Sequence, residues 1–213
     1  MQENLFESML AGLQITDKQK AVLRASMELF SKKGFDQTST KDIAKAAGVA
    51  EGTVYKNYKT KQAILDAIID PFIENNIPLM VQDFKNKMTK FAEELTVKEY
   101  FKAIAVDRFT MINNNTLLLR LLFRTILARN EAKDVITDRI LVFIFGDFEK
   151  VVKQYQNRRL IEKRPLADIL HIILGSYISY AMPVIYGLKE KIDVEHAADN
   201  LSYFLDRAVR VKK

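Results

Sequence analysis

Thr38–Lys61 reads TSTKDIAKAAGVAEGTVYKNYKTK, two short helical patterns joined by Gly48-Val49-Ala50. Ser39 is placed to accept from the backbone N–H three residues on, and Asp42 to reach back to it, so the spacing predicts a helix starting at Thr40. Ile43, Ala44 and Ala47 give that helix one apolar face, and Gly48 supplies the left-handed backbone that ends it at least cost. A second helix is expected from about Ala50 to Tyr58, with Val54 and Tyr58 inward at i, i+4. Gly52, Thr53, Tyr55 and Lys56 are then left facing out.

Two readings fit such a corner. One is an ordinary helical hairpin with solvated lysines. The other is a helix-turn-helix whose second helix lies in the DNA major groove, and the outward chemistry suits it. Gly52 would let the backbone come close, Thr53 and Asn57 can bond base edges or phosphates, and Tyr55 can offer its hydroxyl to a phosphate or its ring to a thymine methyl. Lys56, Lys59 and Lys61 supply charge, Thr40 adds a hydroxyl at a helix start, and Lys41 stands beside it. Between Ser31 and Lys61 seven lysines face only Asp36, Asp42 and Glu51. The whole chain is more even, with 33 Lys+Arg against 27 Asp+Glu, a balance compatible with nucleic acid without being diagnostic of it.

Upstream, Lys18–Lys33 carries Val22, Ala25, Leu29 and Phe30 on one face, with Thr16 or Asp17 as cap and Lys32-Lys33-Gly34 as stop. Phe35 follows as an anchor. The motifs L-F-x-x-x-G-F, T-S-x-x-x-I-A-x-x-A-G-V and G-T-V-Y-x-x-Y-x-x-K stand in that order. In this combination residues 16–69 resemble the N-terminal DNA-binding domain of the TetR family of bacterial transcriptional repressors. The resemblance implies phosphate contacts from Thr40, Tyr55 and Lys61, and groove-facing roles for Lys41, Glu51, Gly52, Thr53, Lys56 and Asn57. Ala50, Glu51 and the Asn57-Tyr58 pair depart from the family's common Ser, basic residue and His-Phe. Glu51 either answers the helix N-terminus, since Ala50 cannot cap it, or accepts from a cytosine amino group.

The remaining sequence predicts an all-α protein of 213 residues: an N-terminal extension over 1–15, the three-helix DNA-binding domain over 16–69, and a larger helical domain over 70–213. Leu5, Phe6, Met9, Leu10 and Leu13 form a short amphipathic arm, docked on its own protein or disordered. Pro71 and Pro78 mark a kink or break after a linking helix from Lys61. Further helices are expected over 97–113, 116–129, 133–157, 165–186 and 193–211. Asn113, Asn114 and Asn115 read as a loop.

The helix from Pro165 is apolar nearly all round and is expected to be buried, with His171 a core or pocket group. The resemblance implies that it and the last helix, through Ala197, Leu201, Phe204, Leu205 and Ala208, pair with their mates in a homodimer. Between the other helices a pocket for a small apolar or aromatic effector is expected, lined by Phe101, Ile104, Phe109, Phe123, Phe143, Tyr177 and Tyr180.

Two histidines on separate helices and no cysteine give no catalytic or metal site, and no cofactor is expected. Nor does any apolar run reach the length of a membrane span or a signal peptide, so a cytoplasmic protein with no membrane partner is expected. The functional expectation is a TetR-like regulator, most simply a repressor released from a palindromic double-stranded operator by its effector. A ligand-independent regulator or activator, or a helical apolar-ligand carrier, are the alternatives.

Overall fold

A computed structural model describes residues 4–128 and 142–211, with side chains for 4–125 and 146–211. The described residues are helical throughout, with no strand beyond one isolated bridge between Ile161 and Arg210. The chain forms two compact units. The first contains α1 (Leu5–Gly12), α2 (Asp17–Lys33), α3 (Thr40–Ala47), α4 (Glu51–Asn57), α5 (Lys61–Pro71) and a π-type turn over Phe72–Asn76. The boundary then falls between Pro78 and Leu79, in the first turn of α6 (Ile77–Glu94). The second unit holds the rest of α6 and α7 (Val97–Asn114), while α8 (Thr116–Ala128) belongs to the first. Helices α9 (Val142–Asn157), α10 (Leu166–Ile185) and α11 (Val194–Val209) complete the second unit.

In the first unit α2 is the hub, packing against α3, α5 and α8. Thr16 and Gln19 close its capping box. Gly34 at φ 93° ends it, and Phe35 turns back onto the Phe30 ring at 5.2 Å. Helix α8 was not expected here, because what ties it is non-local: the Ser31 hydroxyl donates to the Leu117 carbonyl at 2.7 Å, and Leu118, Leu121 and Leu122 are buried. The N-terminal arm docks. Phe6, Met9 and Leu10 are buried, the Leu5 N–H donates to Asn115 Oδ1 at 2.8 Å, and Glu7 pairs with Arg24 at 2.6 Å. The compact unit is therefore larger than the 16–69 stretch read from sequence.

Both prolines behave locally. Pro71 lacks the N–H that would continue α5, and the backbone widens into the π turn directly after it. Pro78 is the second residue of α6, which runs on from the π turn in right-handed helical backbone, and no break occurs there. Helix α7 runs on through Asn114, so Asn113 is helical; its side chain holds Ile192 by two hydrogen bonds of 2.8 Å. The expected start of the helix read as 133–157 lies outside the described residues.

The second unit is built around α7 against α11, with α10 across both. Tyr100, Phe101, Ile104 and Phe109 from α7 meet Ile169, Leu170 and Ile173 from α10 and Leu201 and Leu205 from α11 in one core. α6 and α9 join it through Met88 and Ala92, Val151 and Val152, and Gln154 Nε2 donates to the Ala92 carbonyl at 3.2 Å. Two expectations for α10 are corrected. It is not buried on all sides, for Ile172 and Ile178 are 43% and 54% exposed and His171 also faces out. Its 20 residues also have the length and mean hydropathy of a membrane span, which the sequence reading denied, although its Ile169, Leu170 and Ile173 side packs into the core.

Candidate nucleic-acid interface and C-terminal cavity

The corner between α3 and α4 forms as its residues dictate. Ser39 Oγ accepts from the Asp42 N–H at 3.0 Å while Asp42 accepts from the Ser39 N–H at 3.2 Å. These bonds hold the Asp42 carboxyl below its usual range, the Ser39 hydroxyl contributing most. Gly48 adopts φ 67°, ψ 30°, and the Val49 N–H returns to the Ala44 carbonyl at 3.0 Å. Ala50 makes no side-chain cap. Ile43, Ala44 and Val54 are buried and hold the two helices together. Tyr58, expected inward beside Val54, is half-buried at the end of α4, and burial raises its phenol.

The nine interface residues read from the sequence fall into three groups. Lys41, Gly52 and Lys56 are exposed, and Thr53 is partly so. Thr40, Tyr55 and Glu51 form a cluster: the Thr40 hydroxyl lies 3.0 Å from the Tyr55 hydroxyl and donates to Glu51 Oε1 at 3.3 Å. Glu51 thus answers a hydroxyl of the neighbouring helix, an arrangement neither sequence-based reading of it anticipated. Asn57 and Lys61 are partly committed inward. Asn57 Nδ2 donates to the Thr53 carbonyl at 2.9 Å. Lys61 Nζ donates to the carbonyls of Phe35 and Asp36 at 2.7 and 3.3 Å and stands 4.4 Å from the Phe35 ring centroid. An ammonium has three donors, so one remains for a phosphate.

The second unit contains a cavity of about 240 Å³. Phe84 and Met88 of α6, Tyr100, Phe101, Ile104 and Arg108 of α7, and Phe148 of α9 form part of its wall. Leu170, Ile173, Leu174, Tyr177, Ile178 and Ala181 of α10 form the rest. Of the seven pocket residues expected, Phe101, Ile104 and Tyr177 line it. Phe109 is fully buried behind it, its ring 5.6 Å from Tyr177 and 5.5 Å from Tyr180, while Tyr180 itself borders a separate cleft beside Lys191 and His196. Phe123 belongs to α8 in the first unit, and the side chain of Phe143 lies outside the described residues. Arg108 was missed: only its i, i+4 relation to Ile104 placed it on the lining face.

Among the described lining residues Arg108 is the one that carries a charge. Its guanidinium carbon stands 4.2 Å from the Phe84 ring centroid, and its Nε and Nη2 bond Asp107, which also accepts from Lys87 at 2.9 Å. The Tyr177 hydroxyl donates to the Phe101 carbonyl at 3.1 Å, and burial pushes its phenol far up against the pull of the Arg108 charge.

A helix-turn-helix corner on one helical unit, with a second unit that is helical over its described elements and holds a cavity, defines a class of two-part helical proteins built on a helix-turn-helix. Residues 22–68 match the sequence profile of bacterial regulatory proteins of the tetR family. Over that stretch the chain carries the helix-turn-helix segment of the family. It is 23% identical over 205 residues, 92% of its length and 66% of the other's, to the uncharacterized HTH-type transcriptional regulator YerO of Bacillus subtilis. To the fatty acid metabolism regulator protein of the same organism it is 33% identical over 91 residues, 42% of this chain and 47% of the relative. These matches therefore span less than two thirds of the relatives' own lengths. Among solved structures it shares its fold with the transcriptional regulator FadR from Bacillus subtilis in complex with stearoyl-CoA, at 22% identity and a TM-score of 0.55, over 87% of this chain and 96% of that one.

Proposed function

We propose that the protein is a homodimeric transcriptional repressor that binds a pseudo-palindromic DNA operator through α3 and α4 and leaves it when a small apolar effector occupies the second-unit cavity. The observation that carries the reading is the α3–α4 surface. Lys41, Gly52, Thr53, Tyr55 and Lys56 stand outside the buried Ile43–Val54 contact, with the Thr40 and Tyr55 hydroxyls 3.0 Å apart where a phosphate can accept from both. Dimerisation is supported by the outer faces of α10 and α11, where Ile172, Ile178, Tyr203 and Phe204 lie exposed on one unit. The Ser176 and Ser179 hydroxyls bond their own helix's carbonyls, so that face can be covered without stranding them. Two copies would present recognition helices to half-sites about 34 Å apart, and an effector that favours another separation releases the DNA.

Gel-shift titration against genomic fragments tests the proposal. Discrete pseudo-palindromic sites are expected, with Tyr55→Ala and Lys61→Ala weakening binding about tenfold and Lys61→Ala lowering the salt slope by about one, the share of a single neutralised phosphate. Variants that titrate like the parent across salt would place the interface elsewhere. Fragments bound without palindromic preference would favour a carrier role for the second unit. The fatty acid regulator relative favours one effector class, an acyl chain, which the apolar lining suits.

A further inference from the structure

What can fill the second-unit cavity is bounded by its lining and by its size. The wall is almost wholly rings and aliphatic chains, and the polar groups of Tyr177 and Arg108 are already engaged. The Tyr177 hydroxyl donates to the Phe101 carbonyl, while Arg108 bonds Asp107 through Nε and Nη2 with its guanidinium over the Phe84 ring. Asp107 accepts from Lys87 as well, and Lys87 pairs with Asp83 at 2.7 Å, so two cations answer two carboxylates. A ligand ion buried against this wall would meet no unanswered charge among the described lining residues, and burying an unanswered ion is strongly unfavourable. The size is equally restrictive. A cavity of about 150 Å³ takes one benzene, or about 25 Å³ per carbon, so the 240 Å³ here hold about ten carbons, whereas a chain of about sixteen would need about 400 Å³. Inward, Tyr100, Phe101, Phe148 and Ile173 separate the cavity from a void of only about 10 Å³ beside Tyr155 and Val209. Outward, Ile178 lines the cavity and is also exposed, which puts the opening on its side, with Ala181 one turn further along α10.

We propose that the cavity takes an uncharged, compact hydrophobe of about ten carbons, its body against Met88, Ile104, Leu170 and Ile173 and any hydroxyl at the Ile178 end. The inference rests on the reading of this cavity as the effector site. It goes further by setting the ligand's charge and its length: an aliphatic alcohol of medium length fits both limits, a fatty carboxylate breaks the first and a long acyl chain the second.

The test is calorimetry on the full chain without DNA, at neutral pH, with 1-hexanol, 1-octanol, 1-decanol and 1-dodecanol, and with decanoate against 1-decanol. From hexanol to decanol affinity should rise about fourfold per methylene, the gain from burying each one, and dodecanol should stay within about twofold of decanol because its last carbons remain in water. Decanoate should bind about tenfold more weakly than decanol. Ala181→Leu adds three carbons at the opening and should move the plateau from decanol to octanol. Phe148→Ala joins the cavity to the void behind it and should carry the rise on to dodecanol; if that variant does not fold, Ala181→Leu decides. A wild-type rise that continues through dodecanol, decanoate binding as tightly as decanol, a plateau that Ala181→Leu leaves in place, or no binding of any alcohol overturns the proposal. The expected series with operator affinity unchanged by bound decanol upholds the ligand class and overturns the effector reading instead.

Discussion

The two units leave opposite surfaces to their surroundings. The first buries Phe6, Phe30, Ile43 and Val54 and turns lysines, hydroxyls and one glycine outward on α3 and α4. The second buries an equally good core yet leaves Ile172, Ile178, Tyr203 and Phe204 uncovered along α10 and α11. The first is thus satisfied as a single chain and ready for a charged partner, whereas the second carries an apolar face whose exposure to water is costly until a like surface covers it. Under the proposed function, recognition chemistry resides on one unit and the drive to associate on the other.

The sharpest way to separate them is to damage one core at a time. Phe30→Ala and Phe109→Ala each remove a fully buried ring, one from each unit, and each should cost about 3–5 kcal/mol in the unfolding of its own unit. Differential scanning calorimetry reads both changes. DNA binding should fail first in the Phe30 variant and binding in the cavity first in the Phe109 variant. Equal impairment of both activities in both variants would make the two units one cooperative block.

A change on the open face tests association alone. Phe204 is 66% exposed in the single chain, so Phe204→Glu should leave the monomer's melting within about 0.5 kcal/mol of the parent. In a dimer the same carboxylate would be desolvated beside its mate, a cost of several kcal/mol, and sedimentation should show monomers. A dimer as tight as the parent's would remove Phe204 from the interface.

These regions also differ in how legible they were. The α3–α4 corner was read almost residue by residue, because its determinants are contiguous: the Ser39–Asp42 box, the left-handed Gly48 and the inward Val54 all act within a few positions. What sequence could not supply there was side-chain commitment across helices, so the Thr40–Glu51 and Lys61–Phe35 bonds came only with the fold. In the second unit helical spacing foretold most elements, but three of seven cavity residues is what an apolar period yields when several helices contribute. Phe109 has the same pattern as Phe101 and faces the core. Placement of α8 on α2 depends on Ser31 and Leu117, 86 positions apart, and no local pattern encodes that. The apolar excess of α10 was plain in the sequence; which side stayed open was not.

Glu51 offers a smaller perturbation of the first unit's surface. Its carboxylate accepts the Thr40 hydroxyl that a phosphate would also want, and it adds a negative charge to the face that the proposed function sets against an anionic polymer. Glu51→Gln keeps an acceptor for Thr40 and deletes the charge. Affinity for any duplex should rise severalfold, about 1 kcal/mol, while discrimination between operator and random DNA falls if the carboxylate reads a cytosine. Competition gel shifts with operator and random duplex measure both quantities. Unchanged affinity at low salt would mean that Glu51 stands clear of the phosphates.

The smallest expected effect lies away from both surfaces, in the pair that pins the arm to α2. Glu7 accepts from Arg24 Nε and Nη2 at 2.8 and 2.6 Å, and that hydrogen bond, opposed by slight desolvation, holds the Glu7 carboxyl below its usual range. A carboxyl depressed in the folded state contributes stability above its unfolded value and loses it as pH falls through the folded one. With the two side chains 44% and 48% exposed, solvent screening limits the contribution to below about 1 kcal/mol. Thermal melts of wild type and Arg24→Gln should therefore differ slightly at neutral pH, converge as pH drops through the acidic carboxylate range, and differ less in high salt. Because Phe6, Met9 and Leu10 remain buried in either case, the arm should stay docked when the pair is broken. Should Arg24→Gln instead expose the arm to proteolysis at neutral pH, the ion pair and not the apolar contact would be what seats it.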